Sequence, residues 1–251
     1  MSTRGRLLVF AAGAVVILIA LLAALTRIPG FGSDFHPYGD AAIAIATRQH
    51  TANAVSSINF DQRGLDTVGE EAILVAAVVG AATLLRRTGS PRLRPPRAAV
   101  TASTRPPLLA ATRLAGYVLL PVTLLLGVDV VVHGHLTPGG GFQGGVVLAT
   151  GLHLLYVAGD YRALRRVRPL IWYEAGEAVG MAAVLALGVT GLAAGTGFLS
   201  NFLPKGSSGQ LFSAGTVALF SCAVGIAVGS GIVVLLAQFL DEYLGADERA
   251  T

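Results

Sequence analysis

Six stretches of this chain are apolar over lengths that match a lipid bilayer: residues 7–25, 68–85, 114–132, 142–158, 173–194 and 211–240. A hydrocarbon core about 30 Å thick takes roughly 20 helical residues to cross. The runs are continuous rather than alternating, and backbone placed in lipid has to bond within its own segment, so helices are expected and strands are not. Composition agrees: 53% of residues are hydrophobic and 13% charged, with a mean hydropathy of +0.68. Soluble domains carry about 25% charged residues. The expectation is an all-α integral membrane protein of about six transmembrane helices. Its first run, uncharged over residues 7–25, exceeds the roughly 7–15 residue core of a cleaved signal peptide and reads as a retained span.

The charges fall in blocks between the runs. Arg4 and Arg6 precede the first run. Arg86, Arg87, Arg92, Arg94, Arg97, Arg105 and Arg113 separate the second from the third. Arg162, Arg165, Arg166 and Arg168 separate the fourth from the fifth, and Arg249 follows the last. Only Arg27, Arg48, Arg63 and Lys205 fall on the other side of an alternating topology. The positive-inside rule therefore places both termini in the cytoplasm. The net charge of +4 does not suggest nucleic acid, because no basic stretch is interleaved with aromatics. The one cysteine, Cys222, lies in an apolar run and has no partner for an internal disulfide.

Residues 88–107 combine five prolines with arginines and few apolar side chains, the composition of a cytoplasmic linker. The linker divides the chain into a two-helix unit, 1–87, and a four-helix unit, 108–251. Between the first two runs, residues 38–48 have helical potential and are expected along the membrane surface.

Charges inside a span are costly and count first as functional candidates. Glu70 and Glu71 open the second run. Asp66 and Glu70 are four apart, so one helical face can carry both. Paired carboxylates raise each other's proton affinity and suit a proton or cation site; an acidic helix N-terminus wetted at the interface explains them equally well. His153 lies mid-run, where a bond to a neighbouring helix is the commoner role and proton carriage the rarer one. Asp129 and His133 should face the same way, as a solvated or bonded pair rather than a metal site. Glu174 and Glu177 open the fifth run; pairing with Arg165, Arg166 or Arg168 is expected ahead of a place on an ion path. Gly176/Gly180, Gly191/Gly195 and Gly225/Gly229 have the spacing that lets helices approach closely.

The hardest segment to explain blandly is His-Gly-His-Leu-Thr-Pro-Gly-Gly-Gly-Phe-Gln-Gly-Gly at 133–145. Pro138 stops a helix. Gly139, Gly140 and Gly141 allow backbone shapes closed to other residues. The apolar run after Gly145 is too short to span, so the next helix has to begin near Gly141 or Phe142. A phosphate loop is excluded, because no lysine followed by Ser or Thr is present in the segment.

This motif resembles the signature of the MnhB family, whose members are subunits of Mrp-type (Mnh) Na+/H+ antiporters. The likeness covers the four-helix unit. Residues 53–70, Asn-Ala-Val-Ser-Ser-Ile-Asn-Phe-Asp-Gln-Arg-Gly-Leu-Asp-Thr-Val-Gly-Glu, are similar to the C-terminal end of the large A-type subunit of these antiporters and to a small subunit of membrane-bound hydrogenases. Gln62, Leu65 and Val68 depart from that pattern; Arg63, Gly64, Asp66, Thr67, Gly69 and Glu70 match it.

The resemblance implies an accessory, non-catalytic subunit, fused from two parts, of a complex that exchanges Na+ or another monovalent cation for protons. Its partners would be other membrane subunits in the bacterial inner membrane, and it would carry no cofactor and no metal. Asp66 and Glu70 become ion-path candidates, joined by Glu71 and His153 from their places within the runs. His133, Pro138, Gly139, Gly140, Gly141, Phe142, Gly144 and Gly145 become a structural or interface motif. A membrane subunit of a related ion-translocating hydrogenase or redox complex is the alternative. A stand-alone channel fits least, because the charges cluster near the ends of the runs.

Overall fold

The structure, a computed structural model, describes residues 3–28, 32, 35–85, 110–158, 164, 166–167 and 169–247. The expected linker at 88–107 and the arginines at 165 and 168 lie outside these residues. The described residues form helices joined by turns, with no strand among them. In chain order they are α1 (Thr3–Leu25), α2 (Pro37–Arg48), α3 (Ala54–Ser57), a π-helical turn (Ile58–Gln62), α4 (Gly64–Leu85), α5 (Ala110–Val132), α6 (Gly141–Val157), α7 (Leu170–Ala193) and α8 (Thr216–Asp247). The helical potential seen in residues 38–48 is realised as α2.

Five of these, α1, α4, α5, α7 and α8, are long and apolar enough to cross a membrane. The sixth expected span, α6, has 17 residues, about 26 Å at the rise of an α-helix and the low end of what crosses a bilayer. The protein is thus an all-α, multi-pass membrane protein.

The chain divides into two compact units, Met1–Asp40 and Ala41–Thr251. The first is dominated by α1, whose side chains from Leu7 to Leu25 point outward all round. A helix apolar on every side with nothing polar to show to water belongs in lipid.

In the second unit, α8 is the hub. It packs against α4, α5, α6 and α7. Small residues make that possible. A side chain added at Gly180 on α7 would reach within 2.6 Å of the Ala227 nitrogen, and one at Gly176 would strike the Ser230 hydroxyl. These pairings run in opposite senses, so α7 and α8 are antiparallel. On α4, Phe60 just before the helix meets Phe220, and Val78 lies beside Gly231; α4 and α8 run in the same direction. The hydrophobic core gathers Phe60, Val184, Leu199, Val217, Phe220, Val224 and Val228 from both sides of the Pro/Arg-rich segment of the sequence.

Candidate functional site

The buried positions of α4 are Gly64, Thr67, Glu71 and Val78. Their spacing of three, four and seven residues traces one helical face, so a carboxylate lies in the packed seam. Asp66 and Glu70 project from a different side and are exposed. Both line a small cavity of about 130 Å³ with Ile58, Asn59, Arg63 and Thr67. Arg63 forms an ion pair with Asp66. The Thr67 hydroxyl donates to the Asn59 carbonyl at 2.7 Å, fixing the cavity wall to the π-helical turn. The expected shared face of Asp66 and Glu70 is therefore present at the N-terminal end of α4.

Glu71 differs in kind. It is fully buried, and neither carboxylate oxygen has a hydrogen-bond partner. It lies near enough to Glu70 and Glu177 to interact with both electrostatically.

Glu177 was expected at the helix end, paired with arginine. The structure places it inward. Helix α7 begins at Leu170, three residues before the apolar run, so Glu177 lies two turns deep. It shares a buried face with Gly180, Val184, Gly188 and Gly191. Its Oε1 comes within 3.0 Å of where a side chain on Gly231 would stand, and has no hydrogen-bond partner. Its place in line with the glycine stripe was the sequence signal that could have found it. Glu174, by contrast, is exposed.

His153 is half-buried in α6 and donates from Nδ1 to the Ala149 carbonyl of its own helix at 2.6 Å. That bond runs along α6 itself. His133 Nδ1 lies 2.8 Å from Asp129 Oδ1, the pairing their spacing predicts.

The glycine motif is a packing device. Gly139 and Gly140 have φ of +147° and +144°, angles that side chains rarely adopt, and they turn the chain out of α5 into the start of α6 at Gly141. A side chain at Gly141 would collide with the Ser221 carbonyl, one at Gly144 with Val131, and one at Gly145 with Gly229 and Val228. The first turn of α6 is thus wedged, backbone to backbone, between α5 and α8. Phe142 packs on the core, while Pro138 is exposed in the turn.

Asn53 locks this turn to the N-terminal part of the unit. Its Oδ1 accepts from the Val55 and Ser56 nitrogens as the cap of α3. Its Nδ2 donates at 2.8 Å to the carbonyls of Gly134 and Thr137. Its backbone N–H donates to the His135 carbonyl, and Ser56 adds a 2.5 Å bond to Gly134. Sequence reasoning missed Asn53, although Asn before a helical run is a capping signal.

His135 is fully buried beside the turn, donating from Nε2 to the Leu211 carbonyl at 3.1 Å. Burial holds its imidazole below the usual histidine range, against the carbonyls of Leu211 and Gln210, which favour the charged form. Burial pushes the Asp61 carboxyl up, opposed by Lys205. Among the described residues no three His, Cys, Asp or Glu side chains converge as a metal site would require.

Residues 111–234 match the family described as "Domain related to MnhB subunit of Na+/H+ antiporter". An uncharacterised protein of Methanocaldococcus jannaschii is 31% identical over 203 residues, covering 72% of this chain and 74% of that protein. A probable K+/H+ antiporter A/B subunit of Rhizobium meliloti is 30% identical over 206 residues, 74% of this chain but 20% of the relative. Among solved structures, a chain of the Mrp complex from Dietzia has a TM-score of 0.69 and 28% identity, covering 95% of this chain and 26% of that one. A chain of the membrane-bound sulfane sulfur reductase, an archaeal respiratory membrane complex, has the same TM-score and identity, covering 95% of this chain and 99% of that one. This chain therefore spans about a fifth of the Rhizobium relative and about a quarter of the Dietzia Mrp chain.

Proposed function

Because the chain belongs to the family of membrane domains related to the MnhB subunit of Na+/H+ antiporters, we propose that it is an accessory subunit of a multisubunit monovalent-cation/proton antiporter. The observation that carries this reading is the extent of the likeness to the Mrp complex, which takes in 95% of this chain. The partners are other membrane subunits, lipid surrounds α1 and the outward faces of the bundle, and the cargo is Na+ or K+ against protons. The chain is a transport subunit rather than an enzyme. The location proposed is the bacterial inner membrane, with both termini in the cytoplasm.

In this reading residues 1–87 and 108–251 are two formerly separate parts joined through the linker 88–107, and Asn53 and Phe60 are where they meet. Asp66 and Glu70 collect cations or protons at the cavity on α4, and Glu71 lies one step inward. His153, on α6, is a further candidate for the path but does not line that cavity. His133 and the segment Pro138 to Gly145 hold α5, α6 and α8 together.

One observation favours a second reading: the respiratory reductase chain is matched over nearly its full length, which makes a membrane subunit of a redox-driven ion pump the alternative. Isolation of the tagged chain from its own membranes in mild detergent separates the two. Large membrane subunits without an electron carrier, together with Na+- or K+-dependent proton exchange in vesicles, support the antiporter. Co-purification of an iron–sulfur or flavin protein supports the alternative.

A further inference from the structure

Two carboxylates remain for which neither packing nor capping gives a reason. Glu71 is fully buried and Glu177 is 8% exposed, and both have carboxylate oxygens without hydrogen-bond partners. They belong to one junction. Val78, two turns beyond Glu71 on the same face of α4, and the Glu177 carboxylate meet at Gly231 of α8. Seven residues of α-helix rise about 10 Å, so Glu71 and Glu177 stand at successive levels of the seam. α4 and α7 enter the junction from opposite ends, because α4 is parallel and α7 antiparallel to α8.

No lysine, arginine or histidine occurs anywhere on α4, α7 or α8. The charged groups on these helices are all acidic: Asp66, Glu70 and Glu71 on α4, Glu174 and Glu177 on α7, and Asp241, Glu242 and Asp247 at the end of α8. An ionised carboxylate buried without a partner is costly by several kcal/mol at least, and two that interact are costlier still. Something positive has to neutralise them. The walls at Gly231 and Val78 are apolar, and hard cations such as Ca2+ and Mg2+ take about six oxygen ligands; a proton needs only the carboxylate itself.

We propose that Glu71 and Glu177 are a proton-carrying pair: both rest as neutral acids in the α4–α7–α8 junction, and protons move through this protein between them. When Glu177 has lost its proton to water on the Glu174 side, the O–H bond of Glu71 breaks and an O–H bond forms on Glu177, the proton passing through bridging water. Glu71, left as the carboxylate, is reprotonated from the cavity lined by Asp66 and Glu70. No electron changes hands, and one proton enters for each that leaves. This deepens the antiporter reading and rests on it for the direction of transport.

The test uses the intact complex in its membranes. Dicyclohexylcarbodiimide, an apolar reagent, adds to protonated carboxyl groups in lipid. After treatment at neutral pH, peptide sequencing by mass spectrometry should find adducts on Glu71 and Glu177 at about ten times or more the level on Asp66, Glu70 and Glu174. In vesicles, Glu71→Gln and Glu177→Gln should each cut the initial rate of cation-driven proton movement at least tenfold at normal complex recovery, and Glu177→Asp should restore part of it. Adducts confined to the exposed carboxylates, or wild-type exchange in both Gln variants, overturns the pair. The labelling needs no variant, so it decides even where a Gln complex fails to assemble. Wild-type vesicles without exchange sink the antiporter reading alone, and labelling then still decides whether the pair is protonated.

Discussion

The rings of Phe60 and Phe220 lie 5.1 Å apart between centroids, tilted by 31°. They join the turn before α4 to the first turns of α8, from opposite ends of the sequence. Both are almost completely buried. Truncating a buried phenylalanine costs about 3–5 kcal/mol. Phe60→Ala should therefore lower the thermal unfolding midpoint of the purified protein markedly, while Phe60→Leu, which keeps most of the volume, should cost much less.

Asn53 uses its oxygen on α3 and its nitrogen on the glycine turn, so its two ends can be tested separately. Asn53→Asp keeps the cap acceptor but loses the donors to Gly134 and Thr137 and sets a charge against their carbonyls. Asn53→Ala removes both functions at about 1–3 kcal/mol. The expected order of thermal midpoints is wild type, then Ala, then Asp. A capping role alone would place Asp near wild type.

The glycines of the motif should divide sharply from others. Gly141→Ala drives a methyl into the Ser221 carbonyl, and the complex should be recovered poorly, if at all. Gly80 on α4 has nothing within reach of an added methyl. Gly80→Ala should be neutral or stabilising by up to about 1 kcal/mol. Yield after size-exclusion chromatography reads both.

Because burial holds His135 below the usual histidine range, the folded protein binds fewer protons there than the unfolded chain does. The stability it contributes is present above the ordinary value of 6.5 and is lost as pH falls below it towards the depressed value. The thermal midpoint should fall between about pH 7.5 and 5 in wild type. His135→Gln should show a shallower decline. Asp61, whose carboxyl is raised, contributes with the opposite sign: its stability is greatest in acid and declines as pH rises above 3.8. Asp61→Asn separates the two.

The proposed topology would set residues 88–107 and the Pro138 turn on opposite sides of the membrane. With Cys222 replaced by Ala, a cysteine at Ser90 should react with an impermeant maleimide only in inverted vesicles. One at Thr137 should react only in right-side-out vesicles. Labelling of both from one side rejects the proposed topology.

Helix ends were legible where an apolar run meets charge or proline. The C-terminal ends of α1 and α5 fall where the runs stop, at Leu25 and Val132, and α6 starts at Gly141 as the short run after Gly145 requires. The shared face of Asp66 and Glu70 was also legible, since four-residue spacing on a helix fixes it. The start of α8 was not: residues 211–215 are apolar or small, yet the chain turns there, with Ala214 and Gly215 at positive φ. Depth was the other failure. Glu177 lies within reach of arginines in the sequence, and only the early start of α7 carries it out of the headgroup zone. The π-helical turn at Ile58–Gln62 had no signature, because it is imposed by contacts of Phe60 and Gln62 with α8 and α2 rather than by local propensity.

Helix α8 is synthesised after every helix that packs on it. Until α8 leaves the ribosome, α4, α5, α6 and α7 lack the partner that packs over Glu177 and the glycine wedge. Those surfaces have to be shielded by lipid or an insertion factor until α8 arrives. A stop codon early in α8 would accordingly leave helices that insert yet never consolidate, prey for membrane proteases.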